Sequence, residues 1–547
     1  MQRRDFLKLA GAVPLAGLAR ENSSRPNLII ILADDVGYSD FGCYGGEIHT
    51  PHVDRLAQEG IRFTEFYNCA RCCPSRAALM TGLYSHQAGI GGMTGRPVDD
   101  LEGYQGHLNN RNVTIAEVMR AAGYSALMVG KWHLNNPPPV GRGFEEYYGL
   151  LGGFDSYWDP TKYRRLPEGR PERTYAPGQF YSTNVFTDYA LDFLSAARRR
   201  HQPYFLYFAF NAAHFPLHAP KTVIDKYAPV YARGWDVIRQ ERFVRMRSMG
   251  LLDKGWDFTP RSIIPQSPYS DAHGWTNKRN PAWDTLPADR CADLARRMAT
   301  YAAAVEVMDH NIGRLVEDLR ANGELENTVI LLLSDNGACA EWDPWGFDGG
   351  SGAKNILHTG ADLEQMGQPG SYISYGSGWA NACNTPFRLY KHYDHEGGIS
   401  TPFIAHWPAG IARRGGYEHQ MGHIIDLMPT CAELAGARYP TEFQGRSILP
   451  MEGRSLLPAF AGKQIHRDAL FWEHEGSRAV RMGKWKAVAL LATGQWELYD
   501  MDRDRTEMHN LASRYPERLK ELVQAWNQWA ERTHAVPWPW KPPYSAL

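Results

Sequence analysis

The chain carries four short, almost unbroken apolar runs, and each stops at polar residues. Leu28–Leu32 is followed by Asp34 and Asp35, and Ser125–Val129 by Gly130, Lys131 and His133. Tyr204–Phe210 is followed by His214, and Val329–Leu333 by Asp335 and Asn336. Runs of this length without polar alternation suit strands covered on both faces, as in a mostly parallel sheet. Between them lie segments with helical spacing: Pro51–Glu59, Val113–Ala122 and Ala302–Leu319. Strands and helices in alternation predict an α/β sandwich. Ligands of open α/β sheets bind beyond the carboxyl ends of the strands. Here that edge would gather aspartates, an asparagine, a lysine and histidines.

The tail follows another rhythm. Ala469–Trp472, Arg478–Met482, Trp485–Leu491 and Trp496–Tyr499 are short strand-like pieces, with turns at Met482-Gly483-Lys484 and Thr493-Gly494. Glu517–Arg532 then places Leu519, Leu522, Trp526 and Trp529 on one helical stripe. This predicts a small antiparallel sheet with a packed helix, starting near Gly453–Lys463. The stretch Tyr227–Asp289, rich in Pro, Trp and Arg, reads as a surface excursion that shapes the cleft.

Composition narrows the function classes. With 59 Lys plus Arg against 60 Asp plus Glu, the net charge of -1 leaves no basic field for nucleic acid. At the N-terminus, Arg3 and Arg4 precede Phe6-Leu7-Lys8 and an apolar stretch from Leu9 to Leu18. The stretch is too short for a permanent membrane span. It resembles a twin-arginine signal over residues 1–20, which implies the twin-arginine translocon as a partner and a periplasmic or secreted protein. No second long apolar run follows. Eight cysteines are too few for a disulfide scaffold, and Cys69, Cys72 and Cys73 lack a second pair that would make a zinc site.

The chemistry concentrates at Cys72-Cys73-Pro74-Ser75-Arg76, which runs on to Thr81-Gly82. Pro74 suits the first turn of a helix, and a helix N-terminus favours an anion. Asp34, Asp35, Asp335 and Asn336 are hard oxygen donors, suited to calcium or magnesium rather than zinc. The Cys72 segment resembles the signature of the formylglycine-dependent sulfatases: C-x-P-S-R, a short spacer, then Thr-Gly. Gly130-Lys131-Trp132-His133-Leu134, the segment around His214, Asn384-Thr385-Pro386-Phe387-Arg388 with Lys391, Phe471–Gly476 and Trp496–Asp500 resemble the same family, with the flavour of bacterial arylsulfatases.

The resemblance implies an alkaline-phosphatase-like α/β/α sandwich over residues 25–455, with a large mixed, mostly parallel sheet. Residues 456–547 would form the C-terminal subdomain. It implies a calcium ion, with magnesium second, held by Asp34, Asp35, Asp335, Asn336 and residue 72. It also implies that Cys72 is oxidised to formylglycine (3-oxoalanine) by a separate maturation enzyme. The aldehyde hydrate carries two hydroxyls on one carbon, one to attack sulfur and one whose deprotonation expels sulfate. Arg76 would hold the hydrate and the metal carboxylates. Lys131 and His133 would serve sulfate release, and His214 and Lys391 would bind sulfate and protonate the leaving oxygen. His218, His392 and His395 read as packed polar residues. The expected substrate is a small-molecule or glycan sulfate ester, with Tyr157, Trp158, Trp235, Trp256 and Trp275 as an aromatic wall. Three rival readings stand beside it. They are a phosphonate monoester or phosphodiester hydrolase of the same superfamily, a non-catalytic glycan-binding relic, and a secreted redox protein using the three clustered cysteines.

Overall fold

The first apolar run forms strand β1 (Asn27–Ala33), buried along its length, and the computed structural model centres on it. The structure describes residues 25–538 apart from 96, 99, 265–273, 276, 341–342, 350–353 and 491–493. The expected signal segment, residues 1–20, lies outside the described residues. The other strands of the body are β2 (Ile61–Tyr67), β3 (Ser125–Gly130), β4 (Glu146–Gly149), β5 (Arg164–Leu166), β6 (Tyr204–Ala209), β7 (Thr328–Ser334), β8 (Ser400–His406), β9 (Gly416–Glu418) and β10 (Gly422–His423). They make one ten-stranded sheet in the order β10-β2-β8-β7-β1-β6-β3-β4-β5, with β9 also on β2. The central pairs β7-β1, β1-β6 and β6-β3 are parallel, whereas β8 runs antiparallel to both β7 and β2.

Alternate residues of the central strands feed two cores. Ile29, Ile31, Val129, Phe208 and Leu332 pack on one face. Leu28, Ile30, Leu32, Met128, Tyr207 and Leu331 pack on the other. A sheet buried on both faces needs helices on both, which is the predicted sandwich. Helix α1 (Pro51–Glu59) and the long helix Ala288–Ala321 cover the first face. Helix α2 (Cys72–Thr81) and the helix Ile115–Ala121 cover the second. The latter starts two residues later than its periodicity suggests, because Thr114 caps it. The Thr114 hydroxyl accepts from Glu117 N, and the Glu117 carboxylate accepts from Thr114 N.

After a two-stranded ribbon, β11 (Glu442–Phe443) with β12 (Arg446–Ser447), the tail forms a second sheet. Its strands, β13 (Leu470–His474), β14 (Ser477–Met482), β15 (Trp485–Ala489) and β16 (Trp496–Asp500), run antiparallel in sequence order. The helix Pro516–Thr533 buries Leu522, Trp526 and Trp529 against it, and Trp526 Nε1 donates to Trp472 O.

Two expectations are corrected. Tyr227–Asp289 is packed in its first half rather than a surface excursion throughout, although most of the described residues from Asp253 to Asp289 are exposed or half-buried. It holds a helix, Trp235–Ser248, whose Trp235, Ile238 and Met246 are fully buried. Arg242 on that helix is also buried, paired to Asp40 and Glu47 at 2.7 Å each. Nor do Trp235, Trp256 and Tyr157 line a cleft. Trp235 meets Trp283 and Trp379 edge-on inside the core, and Trp256 and Tyr157 are buried. A Trp- and Arg-rich composition reads as surface only while its partners are unknown. Here each buried Arg242 charge has a carboxylate.

Candidate active site

The parallel register brings the polar strand ends to one edge. Ala33 pairs with Ser334, and Ala209 faces both Leu32 and Gly130. Asp34, Asp335, Lys131 and the turn before His214 therefore emerge side by side. Gly130 is required for this: it lies at φ +100°, and a Cβ would come 1.7 Å from Ala209 O. Its neighbour Lys131 donates its backbone N–H to that same carbonyl at 2.8 Å. Gly337 has a similar task, since a Cβ there would lie 1.9 Å from Gly397 O. It lets the Asp335-Asn336 turn press against the loop that follows Lys391.

The cysteine segment meets this edge from the second face. Cys72 is the first residue of α2 and is buried. The motif's other residues have local jobs. Ser75 Oγ accepts from Cys69 N at 2.9 Å and ties down the preceding turn. Gly82 closes the helix in the left-handed conformation, with its N–H on Ala78 O. Arg76 reaches across, donating Nη2 to Asp335 Oδ2 at 2.8 Å and Nη1 to Lys131 O at 2.9 Å. All six catalytic candidates and the four proposed metal-binding residues of the strand ends are buried within this one region.

Charges interlock there. Lys131 Nζ donates to Asp34 Oδ2 and Lys391 Nζ to Asp35 Oδ1, both at 2.6 Å. His214 Nε2 stands 3.6 Å from Asp35 Oδ2. Burial pushes the Asp34 carboxyl well above the usual carboxylate range despite Lys131. At Asp35 burial acts the same way, but Lys391, His214 and Lys131 overcome it and hold the group low. A hydrogen bond from Cys73 draws the Cys72 thiol well below the ordinary thiol range against the effect of burial, and His133, Lys131 and Lys391 add to it. Burial lowers both His133 and His214, so each is held toward the neutral form. Asp35 and His133 both sit at positive φ, 62° and 53°, a strained backbone that clusters at functional sites.

The donor set fits a hard cation. Asp34 Oδ1, Asp35 Oδ2 and Asn336 Oδ1 are buried and accept no hydrogen bond. Buried acceptors left unfilled are costly, and a cation is the partner that oxygen atoms alone would suit. The Asn336 amide is oriented by its two Nδ2 bonds, to Asp35 Oδ1 at 2.6 Å and Gly337 O at 3.0 Å, which leaves its oxygen free. Ligand atoms of Asp34, Asp35 and His214 lie within 4.8 Å of one another. Asp335 is more fully engaged, by Arg76 and by Asp35 N.

The histidines read as packed are held by neighbours. His218 contacts Ser371 O at 2.8 Å, His395 contacts Glu497 at 3.2 Å, and His392 lies between Arg71 and Glu475. All eight cysteines are free. Sequence reasoning missed the loop Leu150–Ser156. It is pinned to the lysine segment by Trp132 N to Leu150 O and His133 N to Leu151 O. A Gly-Gly pair was its only signal. No helix among the described residues is long and apolar enough to cross a membrane.

Comparison with known proteins agrees with this geometry. A family profile described as Sulfatase matches residues 26–437, and one described as N-sulphoglucosamine sulphohydrolase, C-terminal, matches residues 387–532. An uncharacterized sulfatase of Schizosaccharomyces pombe is 35% identical, covering 94% of this chain and 95% of its own. The arylsulfatase of Klebsiella aerogenes is 32% identical, covering 86% of this chain and 99% of its own. Among solved structures, Ps i-CgsB in complex with a neocarrahexaose superposes with a TM-score of 0.64 at 25% identity, over 96% of this chain and 95% of that one. With its signature cysteine, its strand-end carboxylates and its sandwich in register, this chain belongs to the sulfatase family, hydrolases of sulfate esters.

Proposed function

We propose that this protein hydrolyses sulfate monoesters with residue 72 as nucleophile, matured from cysteine to formylglycine, beside a calcium ion held by Asp34, Asp35, Asp335 and Asn336. The observation that carries the reading is the set of three unfilled buried oxygens within a cluster that also surrounds Cys72. Formylglycine would supply a hydrated aldehyde with a nucleophilic hydroxyl, and calcium would supply positive charge that polarises it. The protein's own residues supply the rest. Arg76 fixes the Asp335 carboxylate and so the shape of the cation cradle. Lys131 Nζ and Lys391 Nζ, oriented by Asp34 and Asp35, bind the sulfate oxygens and offset their charge. His133 takes the proton from residue 72 that sulfate release requires. Lys391, or His214 once the negative charge of a bound sulfate favours its protonated form, hands a proton to the departing ester oxygen.

Residues 25–455 form the catalytic unit and 456–547 the C-terminal unit in this reading. The segment 1–20 directs export through the twin-arginine route to the periplasm or beyond, after maturation in the cytoplasm. The substrate is a small-molecule or glycan sulfate.

The deciding experiment co-expresses the chain with a formylglycine-generating enzyme and compares a chromogenic aryl sulfate with the matching aryl phosphonate monoester. Sulfate turnover that disappears in Cys72→Ala supports the reading. Preferential phosphonate turnover hands it to the rival hydrolase, and turnover surviving in Cys72→Ala overturns the nucleophile.

A further inference from the structure

The turn between β13 and β14 consists of Glu475 and Gly476, both at positive φ, 50° and 84°. Asn-Gly or Asp-Gly fills such a two-residue turn most easily, so the turn itself gives no reason for a glutamate. The side chain is used away from the turn. Glu475 is buried, and its Oε2 meets His392 Nδ1 at 2.6 Å. Glu473 fastens the same turn to the body of the protein. Its Oε1 accepts from Gly476 N at 2.8 Å, and its Oε2 contacts His86 Nε2 at 2.7 Å and accepts from Tyr104 OH at 3.0 Å.

His392 is strained as well, at φ 82°. Its backbone N–H donates to Ala70 O at 2.9 Å, and Ala70 lies at φ 58°. Three non-glycine residues at positive φ, from three distant parts of the chain, thus meet at one place. Such strain persists only where the surroundings hold it. The His392 ring lies between the Glu475 carboxylate and the Arg71 guanidinium. Burial and the Arg71 charge push His392 down to about 3, the neutral form. A neutral imidazole serves both neighbours in one tautomer, with Nδ1–H donating to Glu475 and Nε2 accepting from Arg71.

This linkage sits one residue away from the chemistry on two sides. Arg71 precedes Cys72 and caps α2, and His392 follows Lys391. On the Arg71 side the backbone has other ties, from Arg71 Nε to Met93 Sδ at 3.2 Å and from Cys69 N to Ser75 Oγ at 2.9 Å. The strained residue lies on the Lys391 side. We propose that Glu475 is a positioning residue: through His392 it fixes Lys391 relative to residue 72, so that the C-terminal sheet completes the active site. The inference rests on the sulfate-ester reading above, with Lys391 on the sulfate. Without the carboxylate, Nδ1–H of His392 loses its acceptor, the backbone at 392 can relax out of positive φ, and Lys391 moves with it. A displacement of about 1 Å at such a group costs about 10²-fold in rate.

The test is a double-mutant cycle on the matured enzyme with an aryl sulfate: Glu475→Ala, Lys391→Ala and the pair, with Cys72→Ala as the blank. Glu475→Ala should lower kcat/KM by about 10²-fold in the wild-type background and by no more than about twofold in the Lys391→Ala background. Glu475→Gln, which keeps an acceptor oxygen at the same reach, should recover most of the loss. The proposal is overturned by wild-type kcat/KM in folded Glu475→Ala, by the full loss recurring in the Lys391→Ala background, or by Glu475→Gln as slow as Glu475→Ala. Should Glu475→Ala not fold, the cycle with Glu475→Asp, whose oxygens fall one methylene short, decides by the same background criterion. Undiminished turnover in Lys391→Ala, or turnover surviving in Cys72→Ala, defeats the underlying reading instead.

Discussion

Two buried charge clusters flank a single stretch of backbone, Lys391 to Glu396, and they are built on opposite principles. At one end Lys391 joins Asp34, Asp35, Asp335, Arg76 and Lys131. At the other, Glu396 joins Lys486 and Arg505, which come from the C-terminal part of the chain. Glu396 is saturated. Its Oε1 accepts from Lys486 Nζ at 2.9 Å, and its Oε2 from Arg505 Nε at 2.8 Å and Ser400 Oγ at 2.7 Å. The cluster at Lys391 leaves three acceptor oxygens, on Asp34, Asp35 and Asn336, without a hydrogen bond, whereas beside Glu396 it is Glu507 Oε1 that is so left. Titration differs between Glu396 and Asp34, though Asp35 in the first cluster is also held low by Lys391, His214 and Lys131. Burial would raise Glu396, yet Lys486, Arg505 and Arg481 overcome it and hold the group at about 2. Burial wins at Asp34. Buried charge by itself therefore does not mark a site. Nor do unfilled acceptors alone, since both Asp394 oxygens and Glu507 Oε1 also accept no hydrogen bond; the first cluster differs in that ligand atoms of Asp34, Asp35 and His214 lie within 4.8 Å of one another.

The comparison breaks most sharply at residue 72. Cys72→Ala should lower kcat for an aryl sulfate by about 10⁴-fold or more, as loss of a nucleophile does, while circular dichroism and Tm stay near wild type. A loss under tenfold would remove residue 72 from the chemistry.

Next in size is the cradle. Asp35→Asn should cost roughly 10²–10³-fold in kcat/KM, comparable to losing a strong electrostatic contact, and should lower bound calcium measured by elemental analysis after dialysis. Retention of stoichiometric calcium would show that the ion sits elsewhere.

At the junction the effect should fall on stability rather than rate. Lys486→Met leaves Glu396 and Glu507 with fewer counter-charges and should cost roughly 3–5 kcal/mol, read by urea unfolding, with turnover per folded molecule within about twofold. A large fall in turnover without unfolding would merge the two clusters into one machine.

The smallest effect is in pH. The folded Glu396 pKa is depressed to about 2 from an ordinary value of 4.5. The unfolded chain therefore binds the proton first as pH falls. Its contribution is complete above pH 4.5 and is lost as pH drops toward 2. The Tm difference between wild type and Glu396→Gln should narrow across that window. A constant difference would mean that Glu396 acts by packing alone.

Much of this was legible in the chain. The four apolar runs became β1, β3, β6 and β7 within a residue or so at either end, because a strand buried on both faces excludes polar residues from its length. The tail strands and their helix were legible by alternation and by the Trp526 and Trp529 stripe. The Tyr227–Asp289 stretch was not. Local composition cannot tell a solvated arginine from one, like Arg242, that meets Asp40 and Glu47 from distant parts of the chain. The contact of Phe154 with His214 was invisible for the related reason that the two lie sixty residues apart.

The residue pattern thus determined the sheet and the edge on which polar groups collect, and the resemblance of the Cys72 segment to the sulfatase signature named the candidate groups there. Periodicity and side-chain chemistry are local properties, and they survive without a structure. Only the tertiary structure decided which oxygens were left without hydrogen bonds, which lysine faced which carboxylate, and where the exposed ring of Phe154 met His214. Those are consequences of register, of the glycines at 130 and 337 that permit close approach, and of contacts between residues hundreds of positions apart.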